Sequence, residues 1–385
     1  MIDVDHYTVS PADSDVSSVS PVAEPAALPV AAQSVGGTRA ALLGRVAALM
    51  VGLLIFVVSL ELLKKGAGSY GRQVVGFLHV GGPAASLGLG WLLAYLFLSG
   101  SPVAAVAVSL FAAGTLSSVQ TFTMITGSRL GAALIVLITG AVYAARVRQN
   151  TDGLAVGVLA MITTAVIYLP ALAIGSWLLG SGLLGELHVS ASAPLGSLLD
   201  WLIDPLVGAL SSRLPPWGLL VAGGAALLLA FNLMDRVLPA MSGGHGLFRH
   251  LDRISQRPMA MFALGAVVTG LTLSVSVSIS VLVPLAARGL LRRERVVPYI
   301  MGANITTFID TLVAALLVGG PAAFTIVLVE MVSVAALSLL VLLFAYAPFE
   351  RGLLRLQERI LSDGRALSVF IGVLVIAPLA LLLWR

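Results

Sequence analysis

The chain has 385 residues, 58% of them hydrophobic and only 10% charged, with a mean hydropathy of +1.03; this excludes a water-soluble core and describes an integral membrane protein. At that length it supplies roughly eight to ten apolar segments of the ~20 residues that a helix needs to cross a bilayer. The net charge of +4 reports loop basicity and gives no reason to expect a nucleic-acid partner, and the absence of cysteine excludes disulfides and thiolate metal sites.

Residues 1–38 are rich in Ser, Pro, Ala and Val, carry Asp3, Asp5, Asp13, Asp15 and Glu24, and contain no Lys or Arg. They read as a disordered tail and, lacking a basic start, not as a signal peptide. The first span is expected at Ala40–Leu63, ending on Lys64 and Lys65. The next apolar region, Pro83–Ala113, is broken at "LSGSP", Leu98–Pro102. A Gly and a Pro in mid-segment release backbone groups that lipid cannot satisfy, so two half-helices meeting inside protein are expected there. Spans follow at Thr123–Ala145 and Ala155–Leu179, closing a first membrane repeat over 39–179.

A more polar connector, 180–216, contains "LGSLLDWLIDPLVGAL", in which Asp200 and Asp204 share a helical face, and reads as interfacial. A second repeat, 217–346, begins with a span at Trp217–Leu238, has its own broken region at Met259–Gly289, and continues through spans at Val296–Val318 and Ala322–Ala345. The remainder, 347–385, reads as a cytoplasmic loop followed by a last span at Leu367–Leu383.

A gap-free shift of 175 residues lays Leu96–Gly140 over Leu271–Ala315, with Ser99/Ser274, Ser101/Ser276, Gly114/Gly289 and Gly127/Gly302 among the identities. The same shift brings "LLIFVVSLELL", Leu53–Leu63, over "LLAFNLMDRVL", Leu228–Leu238. The turn after the second broken region, "RGLLRRER", is strongly basic, whereas its partner "AGTLSSVQ" is uncharged. Basic loops favour the cytoplasmic side, so the two halves are expected in inverted orientation, an arrangement that leaves Lys64, Lys65 and Arg72 outside. Inverted repeats with discontinuous helices are how secondary transporters build a midplane site from half-helix ends and freed backbone groups.

"SLELLKKGAGSYG", then "LSGS", then "AAGTLSSVQTFTMITGSRLGAAL" resembles the first half of the sodium and phosphate cotransporter family. "LSVSVSISVLVPLAARGLLRRERVVPYIMGANITTF" is similar to its second half, with "IMGANITT", Ile300–Thr307, the most specific piece. The resemblance covers Leu53–Phe344 and implies two inverted repeats, each with a re-entrant hairpin and a discontinuous helix, in an all-α polytopic protein of the cell membrane. It also implies electrochemically driven symport of a small inorganic anion, phosphate, with sodium as the coupling ion and no other cofactor. In that family a Gln-Ser-Ser-Ser motif in each hairpin and a Gly-Ala-Asn-Ile-Gly-Thr-Thr type segment form the sodium and phosphate site.

Carried over position by position, these motifs give Ser99 and Ser101 in the first hairpin, Ser274 and Ser276 in the second, and Asn304, Thr306 and Thr307 in the Gly-Ala-Asn segment. The glutamines are replaced by Leu98 and Leu273, and the middle serines by Gly100 and Val275. The first Gly-Ala-Asn segment has become "GSRLGAA", with Arg129 at the place equivalent to Asn304, and Asp310 stands where the family has a neutral residue. A buried guanidinium needs a partner, and Asp310 is the expected one. Three roles are open for Arg129: a bidentate grip on an anionic substrate, a permanent replacement for a coupling cation, or a structural ion pair.

Glu330, mid-span in "TIVLVEMVSV", is either a proton-coupling group or a second partner for Arg129, and Gln120, Thr121, Thr123, Thr126 and Ser128 either line a pathway or serve helix entry. His6, His79, His188, His245 and His250 never stand at i, i+4 spacing, so no zinc site is expected. No nucleophile with an adjacent base and no Walker sequence is present, so an enzyme is not expected. The rival readings are a non-transporting scaffold or sensor, which the lost glutamines favour, and a sodium-independent exporter or channel for another anion or an amphiphile.

Overall fold

The computed structural model describes residues 39–77, 80–146, 152–181, 203–241, 257–287 and 291–384, and among these every regular element is a helix. The tail 1–38 and most of the polar connector, with Asp200, lie outside the described residues. The chain from Arg39 onward is one compact unit. Among the described residues six helical runs are long and apolar enough to cross a bilayer, which makes this an all-α, multi-pass integral membrane protein.

In chain order the helices are α1 (Arg39–Phe77), α2 (Pro83–Phe97), α3 (Ser101–Ala112), α4 (Ser118–Ala132), α5 (Leu134–Arg146) and α6 (Asp152–Gly180). There follow α7 (203–211), α8 (Pro216–Met241), α9 (Pro258–Thr272), α10 (Val275–Ser280) and α11 (Leu282–Ala287). The last five are α12 (Val296–Thr306), α13 (Phe308–Ala314), α14 (Gly320–Leu340), α15 (Tyr346–Ser362) and α16 (Gly364–Leu383), with π-helical turns at Ala315–Gly319 and Val341–Ala345.

Two expectations are corrected. The first helix does not stop at Lys64 and Lys65 but runs on to Phe77. Lys64 reaches Glu61 on the same face at 3.4 Å, and Gly66 is pressed against the backbone of α8 at Pro216 and Leu220, so the basic pair is accommodated inside the helix. The segment Arg351–Arg365 is not a loop, because α15 occupies most of it. Leu353, Gln357 and Ile360 are buried at i, i+4, i+7 while Arg351, Arg355 and Arg359 face outward, an amphipathic pattern.

Contacts recur at the 175-residue interval. A side-chain carbon at Gly90 would strike the carbonyl of Met124, and one at Gly265 would strike the carbonyl of Tyr299. Likewise Gly127 meets the carbonyl of Leu87, and Gly302 that of Phe262. Only glycine permits backbones this close, so α2 packs on α4, and α9 on α12, through the same two contacts. Between the halves α1 runs antiparallel along α8: Gly52 lies against Ala230 and Met234, Gly223 against Ser59 and Leu63, and Gly66 against Leu220. Phe56 and Phe231, themselves 175 residues apart in the sequence, meet edge to face with ring centroids at 5.4 Å.

Candidate functional site

Both broken regions open where expected, and in the same way. Helix α2 ends on Leu98 with φ 49°, and α9 ends on Leu273 with φ 50°. Among the described residues these are the two non-glycine positions with positive φ. Left-handed backbone costs a leucine about 1 kcal/mol or more, and such strain persists where the surrounding structure holds it in place. After the first break Pro102 stands in the first turn of α3; after the second, the Ser274 hydroxyl caps α10 by accepting from the Val277 amide at 3.4 Å. A hydroxyl chain fixes the second break from behind. Thr269 donates to Ser278 at 2.7 Å, and Ser278 meets the Tyr299 hydroxyl at 2.8 Å, where the first half has Ala94, Val103 and Met124.

The two breaks face one open cleft of about 540 Å³, lined by Leu98, Ser99 and Ile135 from the first half and by Ser274, Ser276, Val277, Ser280, Val281 and Pro284 from the second. Ser99 and its equivalent Ser274 both line it, as does Ser280, which sequence reading passed over although it lies one helical turn beyond Ser276.

A second polar cluster is closed. Arg129, on α4 and only 3% exposed, donates through Nη1 to the hydroxyls of Thr307 at 3.2 Å and Ser101 at 3.4 Å, and through Nη2 to Thr311 at 2.6 Å. Its Nη2 lies 3.6 Å from Asp310 Oδ1, which also accepts from the Thr311 hydroxyl at 2.8 Å. The guanidinium carbon sits 4.8 Å from the centre of the Phe308 ring, so the ring covers one face of the cation. Arg129 and Asp310 are therefore an ion pair, bridged by Thr311. Phe308 was not singled out from sequence; the signal was its place beside Thr307.

The remaining sequence candidates separate from both clusters. Asn304 turns toward α6, where its Nδ2 donates to Thr164 at 3.0 Å and its main-chain carbonyl accepts from the Tyr168 hydroxyl at 2.9 Å. The Thr306 hydroxyl donates to the Ala266 carbonyl at 2.8 Å, tying α12 to α9. Glu330 is 1% exposed and its Oε1 stands 2.8 Å from the Thr126 hydroxyl, which also reaches the Phe122 carbonyl at 3.0 Å, so one hydrogen has two acceptors. Ser117 and Gln120 form a capping box at the start of α4, and Thr121 and Thr123 bond back to the preceding turn, which places these residues in helix entry.

Residues 226–377 match the family model described as Na+/Pi-cotransporter. The match contains the second broken region, the "GANITT" segment, Asp310 and Glu330, and places this stretch of the chain in that family. No curated protein and no solved structure matches the chain.

Proposed function

We propose that this chain, with 226–377 in the Na+/Pi-cotransporter family, is a secondary active transporter. It works by alternating access around the cleft between its two helix breaks, in a pair of inverted repeats. The observation that carries this reading is the single cleft faced by both breaks, with Ser99 and Ser274 at equivalent places in its lining. Freed carbonyls, amides and serine hydroxyls at half-helix ends give a site for a small oxyanion and its coupling cation without a buried protein charge. The antiparallel packing of α1 on α8 and the meeting of Phe56 with Phe231 support inversion, because a residue meets its own equivalent only beside a two-fold axis.

The family match favours phosphate as cargo and sodium as the ion that moves with it. Radiolabelled phosphate uptake into proteoliposomes holding the purified protein tests this. Uptake above empty vesicles, faster under an inward sodium gradient, is the expected result. Uptake no faster than in empty vesicles, with or without the gradient, overturns it.

A further inference from the structure

The polar atoms around the Arg129 guanidinium are all oxygen: the hydroxyls of Ser101, Thr307 and Thr311 and one carboxylate oxygen of Asp310, at 3.4, 3.2, 2.6 and 3.6 Å. They come from α3, from the turn at Thr307 and from α13, and converge on one point from both halves of the chain. Hydroxyls with a single carboxylate are the ligand set of a hard cation, and one negative charge matches one positive charge. A transition metal has no place here, since among the described residues no group of three His, Asp or Glu side chains stands together.

The same geometry rejects an anion. Both Nη atoms are already donating to protein, Phe308 covers a face, and Asp310 would repel a negative ligand. A buried guanidinium must place its N–H groups on acceptors, and here those acceptors are side-chain hydroxyls drawn from both halves of the chain. We infer that the Arg129 guanidinium fills a monovalent-cation site built from Ser101, Thr307, Asp310 and Thr311, so that the protein carries one cation as part of the chain. The inference deepens the transport reading by removing one mobile ion from the cycle, and it is tested without transport.

The test is the melting temperature of the full chain in detergent, followed by tryptophan fluorescence, in sodium chloride and in choline chloride of equal ionic strength. Arg129→Ala exposes the site and leaves Asp310 unpaired. It is expected to gain a saturable sodium-dependent rise, beyond any rise of the wild type, of about 2 °C at sodium roughly ten times its dissociation constant. The double variant Arg129→Ala with Asp310→Asn keeps the space and removes the charge, and is expected to fold and to lose that gain.

No gain in Arg129→Ala overturns the inference, as does a gain that survives in the double variant. If Arg129→Ala fails to fold even in sodium while the double variant folds, sodium cannot replace the guanidinium and the inference fails. If neither folds, Arg129 serves packing against Phe308 and the inference fails too. None of these outcomes depends on phosphate uptake by the wild type, so the inference and the transport reading fall separately.

Discussion

The surroundings of Ser101 and of Ser276 are one construction carried out twice, and they have ended differently. In each, a hydroxyl just past a helix break faces a residue of the opposite half: Ser101 stands beside the Arg129–Asp310 pair, and Ser276 shares the cleft lining with Ile135, the position equivalent to Asp310. One place is closed by a guanidinium, a carboxylate and two threonines. The other is open and lined by neutral side chains. The difference rests on a few substitutions on an unchanged frame, since the strained leucines and the glycine contacts recur in both halves. It teaches that the backbone frame and the chemistry at its centre are separable.

If the closed centre is a unit, breaking it from one side is the most damaging change. Asp310→Ala leaves a buried cation without its partner and is expected to lose about 4 kcal/mol in denaturant unfolding. The frame comes next. Gly127→Ala and Gly302→Ala each force a carbon onto a facing carbonyl and should each lose about 3 kcal/mol; unequal losses would break the claim that the halves are built alike.

The breaks give a finer comparison. Leu98→Val and Leu273→Val put a β-branched residue at positive φ and should each lose about 1 kcal/mol, while glycine at either place is expected to be tolerated. Smallest is Arg293→Ala. Arg293 pairs with Asp152 through Nε at 2.8 Å and also through Nη2, but both side chains are 35% exposed, so a loss of about 0.5 kcal/mol that shrinks with salt is expected. A loss as large as that of Asp310→Ala would contradict the contrast between buried and exposed pairs.

Much of this was legible in the sequence because it depended on local chemistry. Gly and Pro in "LSGSP" located the first break, the 175-residue shift located the second, and the need of a buried guanidinium for a counter-charge named Asp310. What was not legible depended on rotation about helix axes. Asn304 and Thr306 belong to the most specific motif, yet one turns to Thr164 and the other to Ala266, and composition cannot say which way an amide faces. Tyr168 and Thr164 escaped notice because single hydroxyls in an apolar helix look like ordinary packing until a partner is placed beside them. The amphipathic α15, which the sequence reading left within a loop, is legible in its period, with Leu353, Gln357 and Ile360 on one face.

The central claim is that the cleft between the breaks is the transport site, and the chain's lack of native cysteine allows a direct test. Ser99→Cys and Ser276→Cys, one from each half, are labelled in proteoliposomes with a membrane-impermeant maleimide, with and without phosphate in the presence of sodium. The account predicts that phosphate slows labelling severalfold at both positions. Labelling at both positions at rates that phosphate and sodium leave unchanged would contradict it.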